Sequence, residues 1–193
     1  MASPARKPAT YDDLLALPDD KIGEIVDGEL YASPRPAVPH VVAHSALNSE
    51  LGTPFHFGRG GPGGWWILVE PELHLEDDTL VPDLVGWRRG RLPRMPNSPA
   101  VTLAPDWVCD ILSPSTERMD RAKKLPAYAR HGVAHAWLLN PATRTLEVLR
   151  REGASWVLAA TYADDAIVRA EPFAAIELDL LHLWGEERPP QAG

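Results

Sequence analysis

The chain has 193 residues, enough for one domain with a sizeable core, and 45% of them are hydrophobic. The formal net charge of −8 argues against a general nucleic-acid coat, since phosphate binding needs a basic surface, and the apolar runs are too short to span a membrane. Cys109 is the single cysteine, which excludes an intrachain disulfide or a cysteine-based zinc site, and with no signal peptide evident it indicates a cytoplasmic protein.

The chain is predicted to begin with a short helix and a β-hairpin. Thr10, followed three residues later by Asp13, resembles a capping box and predicts a helix start. Strands are then predicted at 22–26 and 29–32. The dipeptide Asp27-Gly28 between them is typical of a two-residue hairpin turn.

A longer helix is predicted after a proline-rich connection, from about residue 40 to residue 51. Its apolar residues recur at helical spacing and give it one face that can be buried: Ala43, Leu47 and Leu51. Five glycines at 58–64 predict a loop, and the absence of a following Lys-Ser or Lys-Thr pair argues against a phosphate-binding P-loop. Strands follow at 65–69, 72–75 and 80–87.

The second half of the chain is predicted to contain a buried strand, a helix and further strands. Residues 107–112 are apolar except for one acid and predict a central strand, reached through a long irregular connection with four prolines. A helix over about 115–131 should end at Gly132 and be kinked near Pro126. A strand is predicted at 134–139, followed by two or three antiparallel strands that include 145–150 and 156–162.

These elements together predict one domain over residues 10–185. Its fold class is α/β, an α+β mixed sheet with flanking helices and additional antiparallel strands. The two ends, 1–9 and 186–193, are expected to be disordered.

Two acidic residues stand in strongly apolar strand sequences, Asp83 and Asp110. Burying a carboxylate is costly unless it is paired, hydrogen-bonded or bound to metal. One such acid is more often structural, either as a cap or as a buried hydrogen-bond acceptor. Two on neighbouring strands would repel each other unless a cation lay between them, and oxygen ligands of this kind suit Mg²⁺ or Mn²⁺.

The helix that follows the Asp110 strand offers a cationic partner. Asp120, Lys124 and Tyr128 are spaced by four residues and therefore share one helix face. An ordinary i,i+4 ion pair between Asp120 and Lys124 is the simplest interpretation. Alternatively, Lys124 could stabilise the charge of a phosphate or help to activate a water.

Other candidates carry weaker signals. Glu24 interrupts an apolar strand and could reach the same site, although an acid facing solvent fits equally well. His40 and His44 have the i,i+4 spacing of a zinc site, but no glutamate stands between them as a general base, and a cap role is the default for His40. Basic residues at 88–94 and 118–124 are interpreted as a basic loop and a solvated helix face, or as contacts to DNA phosphates.

Several of these motifs, in this order, resemble a bacterial family of restriction endonuclease homologues with the PD-(D/E)XK nuclease fold. The matching segments are EIVDGEL at 24–30, VPDL at 81–84, DILSPST at 110–116, GV at 132–133 and WLLNP at 137–141, with His40 and Asp120, Lys124 and Tyr128 between them. The resemblance covers about residues 10–180. It implies a restriction-endonuclease-like core with a divalent metal at the strand ends, DNA as substrate, and a homodimer.

The resemblance also implies roles for four residues. Asp83 and Asp110 match the acids that hold the metal, Lys124 matches the catalytic lysine, and Glu24 matches an acid that joins the site. Asp110 stands where the family usually has Glu. Leu112 stands where the wider nuclease superfamily has its lysine, and in this family that lysine comes from the following helix, where Lys124 lies.

The sequence therefore predicts a Mg²⁺- or Mn²⁺-dependent DNA endonuclease. The main alternative is a non-catalytic nuclease-like protein with a binding or regulatory role, which would cleave nothing and bind metal weakly. A zinc hydrolase built on His40 and His44 is a second alternative.

Overall fold

Two β-sheets form the frame of the protein, which a computed structural model describes over residues 7–189. In chain order the strands are β1 (Lys21–Val26), β2 (Glu29–Pro34), β3 (Trp65–Val69), β4 (Leu73–Leu75), β5 (Asp78–Leu80), β6 (Leu84–Arg88), β7 (Trp107–Ile111), β8 (His135–Asn140), β9 (Thr145–Glu152), β10 (Ser155–Ala163), β11 (Ile167–Val168) and β12 (Leu178–Asp179). The α-helices are α1 (Tyr11–Leu15), α2 (Val38–Leu51), α3 (Glu117–Met119), α4 (Leu125–Arg130) and α5 (Leu180–Leu183). Two π-helical turns lie at Gly52–His56 and Asp120–Lys124.

The larger sheet has six strands in the order β10-β9-β8-β7-β6-β3. It is mixed, as predicted, because β7 and β8 run parallel while every other neighbouring pair is antiparallel. The smaller sheet is antiparallel throughout and has the order β2-β1-β5-β4. Strands β11 and β12 form a separate pair.

Strand β7 is buried along its whole length, and its two faces contribute to two different cores. Trp107 and its alternate neighbours face the core that includes helix α2 and a cluster of aromatic rings around Phe173. Val108 packs on the opposite side, with residues of the smaller sheet and of α4. Asp110 lies on the same face of the strand as Val108, beside Tyr128. Its carboxylate is therefore placed between the sheets.

Several local predictions are confirmed. Helix α1 begins with a capping box between Thr10 and Asp13. The β1-β2 turn has positive φ at both Asp27 (53°) and Gly28 (73°), which a two-residue turn of the primed type requires. Helix α2 buries the apolar face predicted for it: Ala43, Leu47 and Leu51.

Two predicted elements are interrupted. The strand predicted at 80–87 ends at Leu80 and resumes at Leu84, because Pro82 cannot donate to a strand ladder. Asp83 therefore precedes β6 and does not lie within a strand. The helix predicted at 115–131 contains the π-helical turn Asp120–Lys124 just before Pro126, whose missing N–H removes one helical hydrogen bond.

The disordered ends predicted at 1–9 and 186–193 lie largely outside the described residues. Two residues of these ends that are described form hydrogen bonds. The Ala9 amide donates to the carbonyl of Gly28, and the Arg188 guanidinium donates to both carboxylate oxygens of Asp179. No helix in the described part of the chain has the length and apolar character that crossing a bilayer requires.

Candidate active site

A cavity of about 310 Å³ lies where the smaller sheet meets the end of the larger one. Strand β1 contributes Glu24, the segment before β6 contributes Asp83, and the π-helical turn contributes Asp120 and Lys124. Asp110, on the neighbouring strand β7, contacts Lys124 directly beneath them. The structure thus brings together all four residues predicted to form the site: Glu24, Asp83, Asp110 and Lys124.

Lys124 is the centre of this arrangement. Its Nζ lies 2.8 Å from Asp110 Oδ1 and 3.2 Å from Glu24 Oε1. The i,i+4 contact to Asp120 Oδ1 is longer, at 3.6 Å, so the simple helix ion pair is not the main interaction. Burial alone would lower the pKa of Lys124, but the carboxylates of Asp110 and Glu24 outweigh it and raise that pKa well above its ordinary value. Lys124 therefore remains an ammonium and cannot act as a general base.

The Asp110 carboxylate is incompletely paired. Its Oδ1 accepts from Lys124 Nζ and, at 3.4 Å, from the Tyr128 hydroxyl. Its Oδ2 is buried and has no hydrogen-bond partner among the described residues. Burial raises the pKa of Asp110 to about 8, opposed by Lys124 and reinforced by the negative charges of Asp120 and Asp83. An unsatisfied buried oxygen of this kind needs an explanation, and a bound cation is one.

Asp83 is fixed by both of its carboxylate oxygens. Oδ2 accepts from the backbone N–H of Ile111 at 2.6 Å, which ties Asp83 to the residue directly after Asp110. Oδ1 lies 2.8 Å from His40 Nε2, and His44 Nε2 donates to the Asp83 carbonyl at 3.0 Å. Burial would lower the pKa of His40, but Asp83, together with the negative charges of Glu70 and Asp120, outweighs it and raises that pKa.

Sequence reasoning missed the role of His40 as the partner of Asp83. The two residues are 43 positions apart, and only the packing of the start of α2 against the end of the sheet joins them. The alternative of a zinc site on His40 and His44 is disfavoured, because the Nε2 atoms of both rings are engaged by Asp83. The matching of His40 to the family motif was the one signal that could have indicated a role in this site.

Glu24 and Asp120 hold the ammonium from two other directions. Glu24 Oε1 accepts from the Val81 backbone N–H at 2.7 Å as well as from Lys124, and its side chain is only 6% exposed. The solvent-facing interpretation of Glu24 is therefore wrong. Burial raises the pKa of Glu24 and of Asp120, and Lys124 opposes the rise in both cases.

The cavity contains oxygen ligands that suit a hard divalent cation, but these ligands are not arranged as a preformed metal-binding site. Carboxylate oxygens are the ligands that Mg²⁺ and Mn²⁺ prefer, and Asp110 Oδ2 is a buried oxygen without a hydrogen-bond partner among the described residues. Among residues 7–189, however, no group of three or more His, Cys, Asp or Glu side chains is positioned to hold a metal ion. The acids are gathered on the Lys124 ammonium, so the residues fit a metal bound by one or two carboxylates.

The basic segment 88–94 lies away from the cavity, and arginines of both basic segments are paired with other groups of the protein. Residues 88–94 begin at the far end of β6, roughly 17 Å from Asp83 at about 3.3 Å per strand residue. Arg89 donates to two backbone carbonyls and Arg91 pairs with Asp106. Arg121 is held by Glu117 and Glu147. These side chains are structural in this conformation.

Comparisons with known proteins agree with the fold and with the motifs. A family model described as "Uma2: Putative restriction endonuclease" matches residues 8–181. A crystal structure described as "a putative nuclease belonging to DUF820" from Anabaena variabilis ATCC 29413 is similar with a TM-score of 0.73 and 25% sequence identity, covering 92% of this chain and 98% of that one. No curated protein matches the chain in sequence. The resemblance drawn from the sequence motifs and the mixed α/β fold class are therefore confirmed, and the chain belongs to the Uma2 family of restriction endonuclease homologues.

Proposed function

We propose that the protein is a Mg²⁺- or Mn²⁺-dependent DNA endonuclease whose reactive centre is the cavity around Asp83, Asp110 and Lys124. The observation that carries the proposal is the buried ammonium of Lys124, shared among carboxylates that outnumber it, one of which has an unpaired oxygen. A purely structural ion pair needs no surplus of acids beside a cavity. The family and the nuclease-like structural neighbour support the same reaction class.

Asp83 and Asp110 are the residues that would hold the metal. A divalent cation bound there would polarise a phosphodiester and lower the pKa of an attacking water. Lys124 keeps its proton, so it would stabilise the negative charge that develops on the phosphate. Glu24 and Asp120 orient that ammonium, and His40 holds the Asp83 carboxylate in place.

A non-catalytic nuclease-like role is the second candidate. It is favoured by one observation, that the described residues contain no preformed group of three metal-binding side chains. In this alternative the Lys124 ammonium takes the place of a metal ion among the carboxylates. The protein would then bind Mn²⁺ only weakly and would cut no DNA.

A homodimer in the cytoplasm is the assembly and location that we propose with this function. Two copies would allow two strands to be cut, and a cytoplasmic enzyme has access to DNA. Sedimentation at micromolar concentration tests the assembly, and a monomer that retains full cleavage activity would contradict it.

Nicking of a supercoiled plasmid tests the function directly. Wild type should nick the plasmid with Mg²⁺ or Mn²⁺, whereas Asp83→Ala and Lys124→Met should not. Lys123→Met is the matched control, because Lys123 is the neighbouring lysine and its side chain is 38% exposed, against 5% for Lys124. Circular dichroism confirms that each variant is folded. Equal nicking by wild type and both site variants would reveal a contaminant and remove the proposal.

A further inference from the structure

We propose that the protein contacts the phosphate backbone of DNA through a second surface, the arginine surface (Arg59, Arg88 and Arg94), at the opposite end of β6 from the cavity. Binding at this surface needs neither the metal nor the acids of the cavity. The inference rests on the proposed function only in taking DNA as the partner. Contacts of this kind position a duplex without reading its sequence.

Positive charge is concentrated in the two chain segments that form this surface. Residues 52–69 and 84–105 contain five arginines and no Asp or Glu, in a chain whose net charge is −8. The segments lie side by side, since β3 pairs with β6 and Trp65 is opposite Arg88. A polyanion that approaches from solution is therefore attracted to this end of the sheet and repelled by the net charge of the rest of the chain.

Three of the five guanidinium groups are free to bind an anion. Arg59, Arg88 and Arg94 are exposed, and their side chains form no hydrogen bond or ion pair among residues 7–189. Arg89 and Arg91 are instead bound to backbone carbonyls and to an aspartate of the protein. The free groups offer unpaired positive charge, which arginine presents as a planar fork that matches a phosphate.

Two of these guanidinium groups are held in place by aromatic rings. The guanidinium carbon of Arg88 lies 4.5 Å from the centre of the Trp65 ring, and that of Arg59 lies 5.6 Å from the centre of the Phe57 ring. Stacking leaves the N–H groups at the edge of a guanidinium free to donate. It also reduces the entropy that the side chain loses when it binds a phosphate, so these arginines are preorganised for an anionic partner.

The glycine-rich loop 58–64 and the end of β6 form one continuous surface. The backbone N–H of Arg89 donates to the Gly64 carbonyl at 2.9 Å. The loop after β6 is held to the same place, because Trp66 Nε1 donates to the carbonyl of Leu92 at 2.8 Å. The three free arginines are therefore carried by neighbouring segments and can contact one partner.

The main chain between the arginines is bare enough for a nucleic-acid backbone to approach it. A Cβ added at Gly60, Gly64 or Gly90 would meet no atom within 4 Å beyond its chain neighbours, so these positions face open space. A DNA strand carries one charge about every 3.4 Å and needs no protein side chain to complement it there. These features favour nucleic acid over an acidic protein as the partner.

The arginine surface is too distant to take part in the reaction. Arg88 follows Asp83 by five positions along β6, roughly 17 Å at about 3.3 Å per residue. Its contacts therefore hold DNA without reaching the phosphodiester that the acids of the cavity would bind. Loss of these arginines should weaken DNA binding and leave the chemical step unchanged.

Binding of a fluorescent DNA duplex in EDTA, followed by anisotropy, tests the proposal without metal or cleavage. The site variant Arg59→Gln/Arg88→Gln removes two of the free guanidinium groups. The matched control, Arg169→Gln/Arg188→Gln, removes the same charge from arginines that are already paired with acids. Circular dichroism confirms that both variants are folded.

The site variant should bind the duplex about tenfold more weakly than wild type, and the slope of log K against log salt should fall by about two, one for each lost phosphate contact. The control should keep the affinity and the slope of wild type. Equal losses in both variants would show an effect of net charge alone and overturn the proposal. Failure of wild type to bind the duplex would overturn it as well.

Competition with poly-glutamate separates DNA from an acidic protein as the partner. Unlabelled duplex should displace the fluorescent duplex from wild type, whereas poly-glutamate at the same concentration of negative charge should not. Displacement by poly-glutamate at an equal or lower concentration would identify an acidic polypeptide as the partner and contradict the assignment to DNA.

Cleavage kinetics separate this proposal from the proposed function. In Mg²⁺, Arg59→Gln/Arg88→Gln should raise KM for DNA about tenfold and change kcat by less than twofold, since the lost contacts position the substrate. An unchanged KM would show that the substrate does not use this surface, while the nuclease function would stand. If wild type cuts no DNA in Mg²⁺ or Mn²⁺, the nuclease function fails and the metal-free binding result still decides this proposal.

Discussion

Two polar clusters join the β1-β2 hairpin to the helical segments, and they differ in how their carboxylates are paired. They are the Asp78 cluster (Asp27, Asp78, Arg130 and His131) and the Lys124 cluster (Glu24, Asp110, Asp120 and Lys124). In the Asp78 cluster both carboxylate oxygens of Asp78 are satisfied. Oδ1 accepts from the Asp27 backbone N–H at 2.9 Å, and Oδ2 lies 2.6 Å from Arg130 and 2.7 Å from His131.

The pKa values follow this difference. Burial would raise the pKa of Asp78, but His131, the Asp27 amide and Arg130 together lower it below its ordinary value. In the Lys124 cluster burial dominates, and the pKa values of Asp110 and Glu24 are raised although Lys124 lies beside both. In the first cluster each carboxylate oxygen of Asp78 has a hydrogen-bond donor, whereas in the second one ammonium faces three carboxyl groups, one of which has an unpaired oxygen.

The difference teaches that burial of an acid does not by itself indicate function. The Asp78 carboxylate, whose oxygens are both paired and which does not line the candidate active-site cavity, holds elements together. A cluster that lacks positive charge beside a cavity is suited to receive a cation. We therefore expect substitutions in the Asp78 cluster to change stability and substitutions in the Lys124 cluster to change activity.

The largest expected effect is on cleavage. Asp83→Asn should lower the rate of DNA cleavage roughly 10³-fold, because Asp83 is the proposed metal ligand that lines the cavity beside the Lys124 cluster. Asp78→Asn should keep the rate per folded molecule within about threefold, since Asp78 does not line the cavity. Rates are measured on one plasmid in one Mg²⁺ buffer. Similar losses in both variants would end the distinction between the clusters.

The next effect is on stability, and it is expected in the Asp78 cluster. Asp78→Asn should cost about 2 kcal/mol of unfolding free energy at pH 7, roughly a 30-fold change in the folded-to-unfolded ratio, because Arg130 and His131 lose an anionic partner. The folded-state pKa of Asp78 is lowered, so this contribution is present above the unfolded pKa, about 3.9, and is lost as the pH falls through the lower folded pKa. Urea unfolding at pH 7 and pH 3 measures it. A difference that stays constant between the two pH values would contradict the assignment.

Metal affinity should depend on pH in the Lys124 cluster. Since the pKa of Asp110 is about 8, its carboxyl carries a proton at neutral pH when no metal is bound, and a metal ligand must lose that proton. The apparent affinity for Mn²⁺ should therefore be about 25-fold weaker at pH 6.5 than at pH 8.5. Calorimetry in two buffers of different ionisation enthalpy also reports the released proton. No proton release at pH 6.5 would refute this account of Asp110.

His40 should have a smaller effect through Asp83. His40→Gln weakens the contact that orients the Asp83 carboxylate, and outer contacts of this kind typically change metal affinity 10- to 100-fold. We expect a loss of about tenfold in Mn²⁺ affinity by calorimetry. His182→Gln is the control, because that ring pairs with Glu50 far from the cavity. An equal change in both variants would show a general effect of losing a histidine.

The smallest expected effect is a gain of relative stability with rising pH. Asp110→Asn removes a charge that the cluster balances incompletely, while Lys124 keeps Glu24 and Asp120 as partners. Because the folded-state pKa of Asp110 is raised, its stabilising contribution is present below the unfolded pKa and is lost as the pH rises to about 8. The stability of the variant relative to wild type should therefore rise by at least about 1 kcal/mol between pH 5 and pH 9. Thermal unfolding at both pH values measures it, and a relative stability that does not rise would contradict the prediction.

Much of the fold could be predicted because its signals are local. The turn at Asp27-Gly28 and the apolar face of α2 depend on residues a few positions apart. Strand β7 was identifiable because almost all of its residues are apolar. The interruption before β6 could not be placed, since Pro82 is compatible with an edge position as well as with a break.

The residues of the proposed site could be identified as candidates from the sequence, but the contacts between them could not. Asp83, Asp110 and Lys124 were found because acids in apolar strands and a lysine at the family position are visible in the sequence. The contact between His40 and Asp83 depends on how α2 docks on the sheet, which no local pattern encodes. The π-helical turn that carries Lys124 was likewise hidden, since spacing by four residues predicts an α-helix.

Calorimetric titration of Mn²⁺ into wild type, Asp110→Asn and Asp78→Asn at pH 8.5 tests the central claim most directly. If the Lys124 cluster is a metal site, wild type and Asp78→Asn will bind Mn²⁺ with similar affinity and Asp110→Asn will lose that binding. Undiminished binding by Asp110→Asn, or no binding by wild type, would contradict the account.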